Sequence, residues 1–191
     1  MKDFLEIKEA VPRDKFNDIQ NFVLSDSFPW FYTGTTINNC SAETNFSFYH
    51  NAFHYEDGYS FIGKDLSEMV VNFMASTDYK INNLLRLRVG LITNTPTRII
   101  HTPHIDFSFP HYTGLLYFHS TDGETFIYDE KYDIKQDKKN YDDYVRSKKN
   151  SILSIVTPEE NKAFVFDGLH YHSSSSPVKF NRRIVLTFNY V

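Results

Sequence analysis

The segment HTPHIDFSFP, residues 101–110, places two histidines and an aspartate within six positions of a chain that has only eight histidines. His104 and Asp106 stand two residues apart, and in a β-strand residues i and i+2 project from the same face. An imidazole nitrogen and a carboxylate oxygen can therefore reach one metal ion. The triplet alone is a weak signal, because eight His and fifteen Asp give about 0.6 such triplets by chance. A third ligand must come from elsewhere in the fold.

A second cluster of metal-binding and charged side chains lies in FDGLHYHSSSSPVKFNRRIVLTFNYV, residues 166–191. One strand leads into His170 and His172, and a second, strongly patterned strand follows with Arg182 and Arg183. Two histidines and one carboxylate leave three adjacent positions of an octahedral ion open, which suits non-haem Fe(II) with a bidentate keto acid and dioxygen. The far carboxylate of the keto acid would need a cation, and arginine offers a planar fork for it.

The two arginines of the last strand lie on opposite faces, so only one of them can face an interior cavity. Arg183 shares its face with small or polar residues, whereas Arg182 shares its face with large apolar ones. The two sets are Val185, Thr187 and Asn189 beside Arg183, and Ile184, Leu186, Phe188 and Tyr190 beside Arg182. A polar face suits a cofactor cavity and an apolar face suits packing against helices, which favours Arg183.

Hydrophobic spacing predicts two helices in the first part of the chain and a series of strands after them. Apolar residues at helical spacing indicate one helix between Pro12 and Ser25 and a second one over residues 66–74. Residues 28–62 mix aromatic and polar residues, as short strands do. From Leu84 the period changes to two, as in a strand, and Arg86 and Arg88 are typical of a half-solvated strand face. Further strands are predicted at 113–119, 124–128, 152–156, 163–167 and 183–190.

The order of these elements predicts a mainly β two-sheet sandwich or jelly roll braced by the N-terminal helices. A parallel α/β sheet is disfavoured, because helices do not alternate with the later strands. One excursion, residues 129–150, holds seven basic and six acidic residues and too few apolar ones to be core. We expect it to be a mobile insertion at the entrance of the cavity, with Tyr132, Tyr141 and Tyr144 facing a substrate.

Composition and length bound the class of protein. A chain of 191 residues fits a single domain, and 17% aromatic residues favour packed strands over disorder. The net charge of −4, without a basic run, argues against nucleic-acid binding. Cys40 is alone, so a metal must use His and carboxylate ligands. No stretch approaches the roughly 20 apolar residues of a membrane span, so we expect a soluble, cytoplasmic protein.

Together these residues resemble the Fe(II)/2-oxoglutarate-dependent oxygenase superfamily, and within it the prolyl-hydroxylase-like group. The family pattern is His-x-Asp, a distal His after a long gap, and an Arg about ten residues further on the last core strand. Here the pattern reads His104-x-Asp106, His172 and Arg183. The resemblance covers about residues 84–191 and implies a double-stranded β-helix, a cupin-like jelly roll, with the preceding residues as a support of helices and strands.

Two further assignments follow from the resemblance. The family places its distal ligand at the head of a turn of small residues, and HSSSSP, which begins at His172, matches this habit better than His170 does. Tyr117 corresponds to a tyrosine that hydrogen-bonds the co-substrate carboxylate. The following HSTDGETFIY resembles the Gly-Gly-Thr turn of the group but has Glu124 where a second glycine is usual.

The resemblance implies a dioxygenase that hydroxylates a C–H bond of its substrate and releases succinate and CO2. Its metal ligands are His104, Asp106 and His172, and Arg183 and Tyr117 hold the co-substrate. It implies Fe(II), 2-oxoglutarate and dioxygen, and leaves room for ascorbate. No side chain acts as a general acid or base. A peptidyl-prolyl group, another protein or peptide, and a free small molecule all stay open as substrates.

A non-catalytic metal-binding jelly roll, such as a cupin-like binding protein, is the alternative function. His170-x-His172 would suit that use, but it gives Arg183 no role. A nucleic-acid demethylase of the same fold is less favoured, because the chain is acidic overall.

Overall fold

The computed structural model describes residues 4–36 and 45–191, so Cys40 lies outside the described residues. Within these ranges the chain forms three helices and eleven strands. The helices are α1 (Arg13–Val23), α2 (Gly63–Met74) and α3 (Lys138–Ser147). The strands are β1 (Phe4–Ile7), β2 (Phe31–Thr33), β3 (Ser47–His54), β4 (Gly58–Tyr59), β5 (Leu84–Thr93), β6 (Tyr112–Tyr117), β7 (Thr125–Lys131), β8 (Ile152–Val156), β9 (Ala163–Asp167), β10 (His170–Ser174) and β11 (Arg182–Tyr190). No helix in these ranges is long and apolar enough to cross a membrane.

The larger sheet has eight antiparallel strands in the order β1-β9-β6-β11-β5-β3-β2, with β4 paired to β3. Strand β11 lies between β5 and β6 and pairs with both of them. The apolar face of this sheet contacts the first two helices. Phe16 of α1 stacks against Phe118 just after β6, and Phe73 of α2 meets Phe188 of β11 edge-on. The predicted alternation of β11 is therefore confirmed on its apolar face.

The smaller sheet has three antiparallel strands in the order β10-β7-β8. Isolated antiparallel bridges, Ile100 to Ser175 and His104 to His172, extend it beyond β10. Apolar side chains of the two sheets meet in one buried cluster, formed by Leu115, Tyr117, Ile127, Val156, Phe164, Phe166 and Val185. Two antiparallel sheets packed face to face make a jelly roll, so the predicted mainly β fold is confirmed.

The serines directly after His172 belong to a strand, so the prediction of a turn at that place is wrong. Ser173 and Ser174 belong to β10 and pair with Phe126 and Thr125 of β7. Consecutive serines are compatible with a strand because their side chains are short and can hydrogen-bond inside the fold. His172 is therefore held by a paired backbone.

The prediction that residues 129–150 add nothing to a core is wrong. The segment forms the end of β7 and helix α3. Val145 and Tyr132 are buried in a cluster with Tyr171 of β10. The Tyr171 hydroxyl also donates a hydrogen bond to Asp142 of α3 at 2.5 Å. Few apolar residues suffice here, because Val145 packs among buried tyrosines rather than along an apolar stripe.

Candidate metal centre

Backbone pairing brings the two predicted histidine ligands together. His104 and His172 lie opposite each other, and each backbone N–H donates to the carbonyl of the other at 3.0 and 2.9 Å. Residues paired in this way point their side chains to the same face, and the ring centroids are 4.5 Å apart. With Asp106 they offer donor atoms that all lie within 4.8 Å of one another. His170 is not part of this group in the described chain, and its Nδ1 lies 3.0 Å from the Tyr128 carbonyl.

Hydrogen bonds determine which imidazole nitrogen is available to an ion. Nδ1 of His104 lies 3.2 Å from the carbonyl of Thr102, and Nδ1 of His172 lies 3.2 Å from the carbonyl of His170. A carbonyl oxygen can only accept, so each Nδ1 carries the proton and each Nε2 keeps its lone pair. Burial lowers the pKa of both rings, that of His104 to about 3. Both are therefore neutral near pH 7, which is the form that binds a metal.

The carboxylate of Asp106 is oriented by two neighbours. Nη2 of Arg86 lies 2.5 Å from Oδ1, and the side-chain amide of Asn189 donates to Oδ2 at 2.8 Å. Nε of Arg86 in turn donates to Oδ1 of Asn189 at 3.0 Å. Burial opposes the charge of Asp106, but the charge of Arg86, together with the hydrogen bond from Asn189, outweighs it and holds the pKa of Asp106 well below its usual range. The third donor is therefore ionised.

Arg86 and Asn189 are neighbours of Asp106 that the sequence alone does not connect with it. Arg86 has the alternating pattern of a half-solvated strand residue, yet its side chain is only 16% exposed and contacts the candidate metal ligand. The signal that could have found it is pairing across the sheet, since Arg86 lies opposite Asn189, a polar residue on the face assigned to the cavity.

Arg183 is buried and forms a hydrogen bond with Thr125. It is 3% exposed and donates to Oγ1 of Thr125 at 2.7 Å. In the described part of the chain its Nε has no hydrogen-bond partner, and no carboxylate forms an ion pair with its guanidinium. Arg182, by contrast, is exposed and donates to the carbonyl of Leu24. A buried cation without a counter-charge is costly, so this site favours an anionic ligand.

Tyr117 is fully buried beneath Arg183 and does not line the cavity described below. Its hydroxyl lies 3.1 Å from Oγ1 of Thr125, and the guanidinium carbon of Arg183 lies 5.6 Å from its ring centroid. Burial raises the pKa of Tyr117, so the hydroxyl stays protonated. A side chain at Gly123 would bring its Cβ within 2.9 Å of Cδ of Arg183. Tyr117, Thr125 and the bare backbone at Gly123 thus fix the position of the guanidinium.

A cavity of about 110 Å³ connects the three candidate ligands to Arg183. It is far smaller than the roughly 300–1,000 Å³ of pockets for drug-sized molecules, so it suits a small ligand. The three tyrosines predicted to face a substrate do not line it. A larger cavity, about 410 Å³, lies between α1 and α2, but its lining has no histidine. The smaller cavity is lined by the three candidate metal ligands and Arg183, so it is the candidate site.

The fold and the site together define a class: a two-sheet jelly roll with a His-x-Asp and distal His cluster and a buried arginine on its last core strand. No protein-family model and no curated protein matches the sequence. Solved structures do match the fold. An oxidoreductase of the 2OG-Fe(II) oxygenase family from Burkholderia pseudomallei superposes with a TM-score of 0.65 at 11% identity, over 98% of this chain and 84% of that one.

Two further structures extend the comparison. A prolyl hydroxylase from Trichoplax adhaerens, in complex with a hypoxia inducible factor peptide, gives a TM-score of 0.62 at 14% identity, over 100% of this chain and 84% of that one. SnoN, a non-heme α-ketoglutarate-dependent epimerase of nogalamycin biosynthesis, gives 0.64 at 12% identity, over 99% and 78%. The chain thus has the fold of the 2-oxoglutarate- and Fe(II)-dependent oxygenases, and the structural side of the sequence resemblance is confirmed.

Proposed function

We propose that this protein is an Fe(II)- and 2-oxoglutarate-dependent oxygenase. The single observation that carries the proposal is the buried guanidinium of Arg183, which lines the same small cavity as the candidate ligands and has no anionic partner among the described residues. A dicarboxylic co-substrate supplies what the site lacks, since one end can reach the ion and the other end can pair with Arg183. SnoN has been solved with Fe3+ and α-ketoglutarate bound, which shows that this fold accommodates both.

The donor set fits the metal. Two neutral imidazoles and one ionised carboxylate are the ligands of non-haem Fe(II) oxygenases, and they leave open positions for other ligands. His104, Asp106 and His172 would hold the ion, with Arg86 and Asn189 orienting Asp106. Such outer neighbours commonly change metal affinity by roughly 10–100-fold when they are removed.

When bound, Fe(II) and 2-oxoglutarate supply the oxidation of a substrate C–H bond by dioxygen, with succinate and CO2 as the other products. The residues of the chain bind and orient these groups. Arg183 holds a carboxylate at one end of the cavity, and Thr125 and Tyr117 keep its guanidinium in place. Apolar Leu115 and Val185 line the wall of the cavity and keep water away from it.

Hydroxylation is the reaction we propose for this site, and a peptidyl-prolyl group is one substrate that the Trichoplax neighbour supports. The epimerase neighbour shows that the same fold also serves another reaction. A non-catalytic, cupin-like metal-binding protein remains the competing function, and it leaves the burial of Arg183 without a reason.

Formation of succinate from 2-oxoglutarate separates the two functions. The purified protein is incubated in air with Fe(II), 2-oxoglutarate and ascorbate, and succinate is quantified by mass spectrometry. We expect slow succinate release by the wild type even without substrate, and none by His172→Ala. The Arg182→Ala variant is the matched control and should behave as the wild type. Metal binding without any succinate would support the non-catalytic alternative.

A further inference from the structure

The cavity holds another arginine, which the proposed chemistry does not use. Arg88 lies on β5, two residues after Arg86, and lines the same cavity. Its guanidinium carbon lies 4.2 Å from the centroid of the Tyr49 ring. In the described part of the chain Arg88 has no ion pair and no side-chain hydrogen bond. Burial, together with the nearby charge of Arg86, lowers the pKa of Arg88 to about 10.

Among the residues that the structure describes, no carboxylate forms an ion pair with Arg88, and only the charge of Asp106 acts on it from a distance. Asp106 is the one acidic residue among the described residues that line the cavity. Its Oδ1 is paired with Arg86 and its Oδ2 accepts from Asn189, and the same carboxylate is the candidate metal ligand. Within the described ranges Arg88 is therefore a half-buried cation without a paired counter-charge, which an anionic ligand would supply.

The charge balance of the loaded cavity leads to the same conclusion. Of the residues in 4–36 and 45–191, three arginines and one aspartate line it, which leaves two positive charges in excess. A divalent ion adds two more, and the two carboxylates of 2-oxoglutarate remove only two. An excess of two positive charges therefore remains in a small, partly desolvated space, which strongly favours a further anion.

The sheet register separates Arg88 from Arg183. Arg88 lies opposite Thr187 of β11, whereas Arg183 lies opposite Ile92. Four residues of a strand span about 13 Å, so the backbone positions of Arg88 and Arg183 are well separated along the strands. The two guanidiniums can therefore bind two different ligands. The stacking on Tyr49 restrains the plane of the Arg88 guanidinium, and a planar fork suits the two oxygens of a carboxylate or phosphate.

We propose that Arg88 binds an oxyanion of the primary substrate, a carboxylate or a phosphate, and that it thereby selects anionic small molecules for the metal site. This inference rests on the proposed function, because it assigns Arg183 to 2-oxoglutarate and leaves Arg88 to the substrate. Arg88 is then a specificity-determining residue that makes no contact with the metal or the co-substrate.

The test uses the complete protein loaded anaerobically with Fe(II) and 2-oxoglutarate, so that the metal and Arg183 are already occupied. Inorganic phosphate and acetate are titrated separately, and the visible absorption of the chelate and the melting temperature are recorded. We expect one of the two anions to change both readouts in a saturable manner. The anion that does so identifies the oxyanion as phosphate or carboxylate.

Arg88→Gln should raise the apparent Kd of that anion at least tenfold, equivalent to a loss of about 1.4 kcal/mol of binding free energy. Arg88→Lys should recover part of the affinity, because it keeps the charge and loses the planar fork. Arg182→Gln removes an exposed positive charge from the same protein and should leave the Kd unchanged. All three variants should still form the Fe(II) and 2-oxoglutarate chelate.

Three results would overturn the assignment of Arg88. These are the absence of saturable binding of either anion to the wild type, an unchanged Kd in Arg88→Gln, and a loss of 2-oxoglutarate affinity in Arg88→Gln as large as that in Arg183→Gln. A wild type that forms no chelate at all would instead contradict the proposed function.

Discussion

Replacing Arg183 by methionine should separate the stability of the protein from its affinity for 2-oxoglutarate. Without a ligand, the guanidinium donates to Thr125 at 2.7 Å, and its Nε has no partner among the described residues. Because the donor is charged, losing that bond costs about 1.5–3 kcal/mol, and Thr125 keeps the Tyr117 hydroxyl at 3.1 Å. Removing an unsatisfied buried donor recovers about 1–3 kcal/mol. The two effects nearly cancel, so the ligand-free variant should be about as stable as the wild type.

The same substitution should remove most of the affinity for 2-oxoglutarate. The far carboxylate of the ligand would enter the cavity without an ionic partner, and an uncompensated buried charge costs about 3–5 kcal/mol. This corresponds to a loss of affinity of at least about 100-fold. Fe(II) binding should be unchanged, because Arg183 is not among the three residues that offer donor atoms to the ion.

Two measurements test this separation. Urea unfolding of the ligand-free protein gives the free energy of unfolding, and anaerobic calorimetry gives the affinity for 2-oxoglutarate in the presence of Fe(II). Arg182→Met is the matched control, because its side chain is exposed, and both quantities should stay at the wild-type values. The reasoning is refuted if ligand-free Arg183→Met loses more than about 2 kcal/mol, or if it binds 2-oxoglutarate nearly as tightly as the wild type.

Three further predictions concern the ligands, the third helix and acid. Alanine at any one of the three metal-ligand residues, His172 included, should abolish stoichiometric Fe(II) binding in calorimetry, whereas His170→Ala should retain it; the reverse pattern would contradict the assignment. Val145→Ala should lower the free energy of unfolding by about 2 kcal/mol. Limited proteolysis should leave residues 129–150 as resistant as the core. Early cleavage within this segment would show that α3 is not packed. Because burial lowers the pKa of His104 to about 3, the unfolded chain takes up a proton below about pH 6.5 that the metal-free folded protein does not, so stability falls as the pH drops from there towards 3. His104→Gln should reduce that slope by about 1.4 kcal/mol per pH unit, and identical slopes would show that the ring titrates normally.

The alternation of the last strand predicts its structure because both faces of β11 are buried against different material. Its apolar face contacts the helices, and its polar face, with Arg183 and Thr187, lines the cavity. A two-residue period in sequence is enough to assign such faces, since the chemistry of each face is distinct. Strands β8 and β9 are also found at the predicted residues.

Other features depend on contacts that no local pattern shows. The pairing of His104 with His172 joins two segments that are far apart in sequence, and only the resemblance to a family suggests it. Arg86 looks like a solvated strand residue until the sheet register places it opposite Asn189 and next to Asp106. The packing of α3 is hidden because a single buried Val145, with tyrosines around it, replaces the usual apolar stripe.

Anaerobic addition of Fe(II) and then 2-oxoglutarate to the metal-free protein is the most direct test of the central claim. Chelation of the ion by the keto acid should produce a visible charge-transfer absorption that saturates at one equivalent of Fe(II). The absorption should be absent in His172→Ala, should need a much higher 2-oxoglutarate concentration in Arg183→Ala, and should be unchanged in Arg182→Ala. A protein that binds Fe(II) but shows no new absorption with 2-oxoglutarate, or one in which Arg183→Ala behaves as the wild type, would contradict the claim that this cavity is an oxygenase site.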